Sequence, residues 1–179
     1  MARRSKKKNH LLWIVYLLIV CLIGYYTQNQ LNNTYSIPSY VIENIPEYDG
    51  QDYVYINNNE PYFTTEDLST SSFEHYSDLD YLGRCGIAYA NISIDLMPTS
   101  ERESIGMIKP SGWHTIKYDI ISGKYLYNRC HLIGYQLTGE NANEKNLITC
   151  TRQMNTSTMV KFENSVANYI KKTNNHVLY

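Results

Sequence analysis

The chain has almost no net charge: 16 Lys and Arg stand against 17 Asp and Glu in 179 residues. A surplus of positive charge, the usual footprint of a surface that binds a polyanion, is therefore absent from the protein as a whole. Cysteine is scarce too. None of the four (Cys21, Cys85, Cys130, Cys150) stands in a Cys-x-x-Cys pair, so a compact zinc-site pattern is lacking. There is no internal repeat, which argues against a solenoid or propeller. Charge is missing altogether from Leu11 to Tyr26, and no small-x-small cleavage pattern follows that run, where Gly24-Tyr-Tyr-Thr-Gln28 stands. A leader that is removed on secretion usually ends in such a pattern.

What is present begins with that run. Arg3, Arg4, Lys6, Lys7 and Lys8 precede it, and it is apolar all round, unlike a helix with one core-facing stripe. Residues 11–27 lie just under the usual length of a bilayer span and read as an uncleaved transmembrane signal anchor. The excess of cations on one side puts residues 1–10 in the cytoplasm and the rest outside. The polar, Asn- and Gln-rich stretch 28–44, with Pro38, reads as an extracellular stalk, and residues 45–179 as one domain. The expected location is the cell membrane, in a single pass, or the exterior if the segment is cleaved.

The charge balance hides a division. Five of the cations lie before Leu11, so the rest of the chain holds 11 against all 17 acids. Residues 43–101 contain 12 acids and Arg84 alone among bases, whereas residues 102–152 contain seven bases (Arg102, Lys109, Lys117, Lys124, Arg129, Lys145, Arg152) and four acids. The second stretch is locally positive, as a phosphate-binding face should be. Three cysteines lie beyond the anchor, an odd number. A Cys85–Cys130 disulfide, favoured by an oxidising exterior, and free buried thiols both remain open.

Secondary structure follows the patterning. Tyr53–Ile56 and Pro61–Thr64 read as short strands around an Asn57-Asn58-Asn59 turn. Cys85–Ile94 and Trp113–Tyr118 are strand-like, Lys124–Tyr127 leads towards His131, and a short strand surrounds Leu147-Ile148. Met159, Phe162, Val166 and Ile170 recur at three- and four-residue steps and predict a helix over 158–172. Asn155 falls just before it, on a shorter helix begun near Thr151.

The densest chemistry is Asn128-Arg129-Cys130-His131 with Asn146 and Asn155 downstream. A neutral imidazole takes a proton from water near neutral pH, an arginine clamps phosphate, and an asparagine oxygen suits a hard ion that keeps most of its own waters. These pieces fit a metal-dependent nuclease. The run Tyr127–Thr149, with Leu82-Gly-Arg-Cys-Gly-Ile-Ala-Tyr-Ala-Asn91, Lys109-Pro-Ser-Gly-Trp-His-Thr115 and Phe162-Glu-Asn164, resembles the DNA/RNA non-specific endonuclease family. These are ββα-metal (His-Me finger) enzymes, and the likeness, from about Ile45 to Tyr179, is greatest to secreted and membrane-anchored DNases of Gram-positive bacteria.

The resemblance implies an α+β fold with a central antiparallel sheet and a ββα unit. It implies an endonuclease acting on DNA, and on RNA as a second substrate, with Mg²⁺ or Mn²⁺ and no small-molecule cofactor. His131 would be the general base and Asn155 the metal ligand, the alternative for Asn155 being a helix cap. Asn146 would brace the site or simply close a turn. Arg129 is read as a clamp on the scissile phosphate or as half of a structural pair with a carboxylate. Glu163 would assist, against the reading of a solvated helix-face acid. Lys109, Trp113, His114 and Arg152 are candidates for substrate binding, with Trp113 alternatively a core residue. Asn128 stands where many relatives have aspartate and Cys150 where glycine is common. The chain stops at His176–Tyr179, where relatives continue, so the domain is expected to be C-terminally incomplete. These departures motivate the alternative of a catalytically impaired surface protein that binds nucleic acid.

Overall fold

The computed structural model of the chain describes residues 3–32, 45–61, 63–65 and 67–179, with side chains in the first stretch described for residues 10 and 12–25. The chain divides into two compact units, Met1–Ile45 and Pro46–Tyr179. The first contains one helix, α1 (Arg3–Asn32), which takes in the basic cluster and the apolar run. Its large apolar side chains from Leu12 to Tyr25 are exposed. Among the described residues no helix is long and apolar enough to cross a membrane. Most of the stalk at 28–44 lies outside the described residues.

The second unit holds β1 (Phe73–Tyr76), β2 (Ala88–Ile92), β3 (Tyr127–His131), α2 (Tyr135–Thr138), β4 (Leu147–Thr151), α3 (Met159–Thr173) and β5 (Val177–Leu178). In place of one central sheet there are two small antiparallel ones, β1-β2-β5 and the hairpin β3-β4. β2 is the middle strand of the first and is buried along nearly its whole length, as a strand covered on both faces must be. The core lies where Ala90 and Ile92 of β2 and Met97 meet Ile133, Leu137, Ala167 and Ile170, with Tyr76, Val177 and Tyr179 packed against it. Tyr179 exchanges two main-chain hydrogen bonds with Ala90, at 2.8 and 3.0 Å.

Several predicted strands are replaced. Residues 53–56 form no strand: Asn57, Asn58 and Asn59 all have positive φ, in a short 3-10 turn. Tyr53 packs edge-on against Phe162 of α3, ring centres 5.2 Å apart, so its aromatic surface is used on a helix. Of 61–64, residue 62 lies outside the described residues and the others are not in a strand. Trp113–Tyr118 contributes only an isolated bridge, Lys117 to Tyr125.

The helix expected at 158–172 is α3, and it is entered through a wider π-turn, Met154–Thr158. Asn155 therefore sits in that turn. Lys171 and Lys172 lie in the last turn of α3, where cations meet the negative end of the helix dipole. Asn174, at φ 56°, closes it in the left-handed conformation.

Candidate active site

The hairpin β3-β4 and the π-turn packed on it hold His131, Asn146 at the edge of the hairpin, and Asn155. The register pairs His131 with Leu147, Arg129 with Thr149 and Asn128 with Cys150. Side chains alternate along a strand, so Tyr127, Arg129 and His131 share one face and Cys130 takes the other.

His131 ends β3 and is only 5 % exposed. Its Nε2 lies 2.8 Å from the carbonyl oxygen of Asn141. A carbonyl can only accept, so Nε2 carries the proton and Nδ1 keeps its lone pair. Burial pushes the ring's pKa down, and the charge of Arg102 acts in the same direction; the Asn141 carbonyl and Glu140 oppose them. The imidazole is neutral at neutral pH, the form that takes up a proton.

The turn after His131 is fastened by Asn146, which is fully buried. Its Nδ2 donates to the Ile133 carbonyl and its Oδ1 accepts from the Ile133 N–H, both at 2.9 Å. Its own carbonyl accepts from Leu132 N–H at 2.9 Å. Through these bonds to main chain Asn146 holds the shape of the turn that follows His131.

Glu163 reaches this turn from α3. Its carboxylate lies over Gly134, where an added Cβ would meet it at 2.6 Å. Burial raises the carboxyl's pKa, against a hydrogen bond from Gln136 and the charge of Arg102. Arg102 thus bears on both His131 and Glu163. Sequence reasoning left it out of the candidate set; its one visible mark was its place as the first base of the positive stretch.

Asn155 is half-buried and its side chain has no partner among the described residues. Capping falls to Thr151, whose Oγ1 accepts from Met154 N–H at 3.2 Å. A free amide oxygen beside the hairpin is a donor that suits a hard cation. Among the described residues no group of three His, Cys, Asp or Glu could hold a metal ion.

Arg129 has no carboxylate partner among the described residues. Its Nε donates to the Ile108 carbonyl, its Nη2 to the Gly106 carbonyl at 2.9 Å, and its guanidinium lies 3.9 Å over the Trp113 ring. His114 packs at a tilt against Tyr127 with ring centres 4.5 Å apart. Trp113 and His114 therefore flank the face of β3 that ends in His131. Lys109 is exposed in the same loop. Arg152 is drawn elsewhere, its guanidinium packed over Gly123.

The cysteine readings need correction as well. Cys130 and Cys150 form a disulfide across the hairpin, Cα atoms 5.9 Å apart, so neither is available to zinc. Cys85 is free, and its Sγ donates to the Leu147 and Glu144 carbonyls at 3.3 and 3.4 Å. Burial raises its thiol pKa. Cys150 sits in regular strand pairing opposite Asn128, so a cysteine there is accommodated without disrupting the ladder.

The sequence profile of DNA/RNA non-specific endonucleases matches residues 64–179. The chain belongs to that family. The fold of the family domain is similar to NucA from Streptococcus agalactiae with a magnesium ion bound: TM-score 0.58, 21 % identity, 68 % of this chain and 60 % of that one. NucA with no metal bound gives 0.59 at 22 % identity, over 85 % and 71 %. Sda1 nuclease with a bound zinc ion matches at 28 % identity over 56 % of each chain, TM-score 0.46. The endonuclease-family chain thus spans 60 % and 56 % of the length of two of these relatives. No curated protein matches it.

Proposed function

We propose that the domain is a metal-dependent endonuclease that hydrolyses phosphodiester bonds of DNA, and of RNA, without sequence preference. The observation that carries this reading is the hydrogen bond from His131 Nε2 to the Asn141 carbonyl. It leaves a neutral, oriented Nδ1 as general base. His131 takes a proton from water as the water oxygen bonds to phosphorus and the bond to the 3′ oxygen breaks, leaving a 5′-phosphate end. Arg102 meets the charge that builds on the phosphate, and Glu163 orients water beside it. Asn155 would hold the divalent cation, Mg²⁺ or Mn²⁺, which when bound supplies Lewis-acid stabilisation of the phosphate oxygens. The aromatic faces of Trp113 and His114 accept bases without reading them, and Lys109 adds a phosphate contact.

The same proposal sets the domain outside the cell on a membrane anchor at residues 11–27. Two observations support it: apolar side chains exposed along α1 behind a basic cluster, and a buried disulfide, which persists in oxidising compartments.

The test is nicking of plasmid and cleavage of RNA by the full chain in detergent, with and without EDTA. Metal-dependent cleavage that is lost in His131→Ala is expected; unchanged cleavage in that variant would remove His131 from its role. For location, the protein should fractionate with membranes and its domain should be open to protease added outside intact cells. A protected domain would refute that placement.

A further inference from the structure

The loop between β2 and β3 is tied down at points on both sides of Arg102. On one side Tyr135 Oη donates to the Ser100 carbonyl at 2.9 Å. On the other, Arg129 grips the Gly106 and Ile108 carbonyls with its fork while its flat face covers Trp113. Further along, Ser111 Oγ donates to the Leu82 carbonyl at 3.0 Å. Between the first two ties stands Arg102, exposed, with no salt-bridge partner among the described residues.

We propose that Arg129 is a positioning residue: it shapes the 100–113 loop so that Arg102, and not Arg129 itself, meets the substrate phosphate beside His131. Three features of the guanidinium are used at once: two donors aimed at carbonyls two residues apart, and a planar face for the indole. An ammonium supplies a charge but neither the fork nor the plane. Here the Nε and Nη2 donors of the fork are committed to main chain. His131 follows Arg129 by two residues on the same face of β3, so one strand sets both the base and the loop that presents the cation.

The inference rests on the nuclease reading, and its test separates the two. The chain of 179 residues in detergent is assayed for plasmid nicking in Mg²⁺ as wild type, Arg129→Lys, Arg102→Ala and the double variant, with thermal melts alongside. Trypsin cleavage after Arg102 is followed by mass. Arg129→Lys should lower kcat by about 10²-fold with little change in KM, the scale of a site misplaced by about an ångström. In the Arg102→Ala background, Arg129→Lys should cost little more, because the two act through one group. Cleavage after Arg102 should quicken in Arg129→Lys, a readout that holds even if the wild type fails to nick. Near-normal kcat in Arg129→Lys, additive losses in the double variant, or unchanged trypsin cleavage would each overturn the proposal. Absence of nicking by wild type would instead overturn the nuclease reading.

Discussion

The carboxylate of Glu163 occupies the space that a side chain at Gly134 would fill. A Cβ built there meets the carboxyl carbon at 2.6 Å. Gly134 has φ −60°, which any residue adopts, so a side chain here is opposed by crowding against the Glu163 carboxylate and not by backbone geometry. Gly134→Ala should displace Glu163 and cost about 1–3 kcal/mol of stability through overpacking. Nicking should fall as it does in Glu163→Gln. Melts and rates measured on both variants check this; wild-type behaviour of Gly134→Ala would show that the carboxylate moves aside freely.

The pH dependence follows from His131, whose pKa is lowered below 6.5, by burial first. The base stays neutral to a lower pH than a free histidine, so the acid limb of kcat/KM should have its midpoint below 6.5. Stability moves the same way. The unfolded ring binds a proton below 6.5 while the folded ring resists it, so the neutral site loses stability as pH falls from 6.5 to the folded pKa. A pH–rate profile and melts across that window test both; a midpoint above 6.5 would mean a carboxylate such as Glu140 dominates the ring's surroundings.

Asn155→Ala should lower nicking by about 10²–10³-fold, the usual loss of one electrostatic stabiliser. The melting temperature should hardly change, because the side chain has no partner to lose among the described residues. Melts of the wild type with and without Mg²⁺ should also be similar, since a single amide ligand holds the ion weakly. A rise of many degrees on adding Mg²⁺, or near-normal nicking by the variant, would refute Asn155 as the single direct ligand.

The disulfide closes a loop with a sequence separation of 20, for which chain entropy implies about 3 kcal/mol. Unfolding in dithiothreitol, or Cys150→Ala, should lower the melting temperature by on the order of 10 °C. Cys85→Ala should leave the effect of the reductant intact, since Cys85 is outside the bond. Equal melts with and without reductant would show that the bond does not form in solution.

Much is legible in the sequence alone. The helix α3 is, because Met159, Phe162, Val166 and Ile170 mark one face at helical spacing. The hairpin strands around His131 and Leu147 are recognisable from family words that carry their own local order. β1 is not, since four residues, Phe73–Tyr76, show no pattern long enough to separate a strand from a loop; pairing with Ala88–Asn91 makes it one. Tyr53–Ile56 misleads for the opposite reason. Its aromatic and branched residues suit a pleated surface, and they suit packing on a helix equally well.

By itself the sequence determined the chemistry on offer: a histidine, two asparagines, a positive stretch and an apolar N-terminal run. Those are properties of residue type and spacing, read without knowing what each side chain touches. Only the tertiary structure decided their use. Arg129 fastens a loop because the fold brings beside it two carbonyls that lie 21 and 23 residues away. Cys130 met Cys150 and not Cys85 because strand register, not sequence order, sets which thiols come within reach. Arg102, 29 residues before His131 with no motif joining the two, acts on that ring because the fold ties its loop to Tyr135 on one side and Arg129 on the other, and charge acts through space.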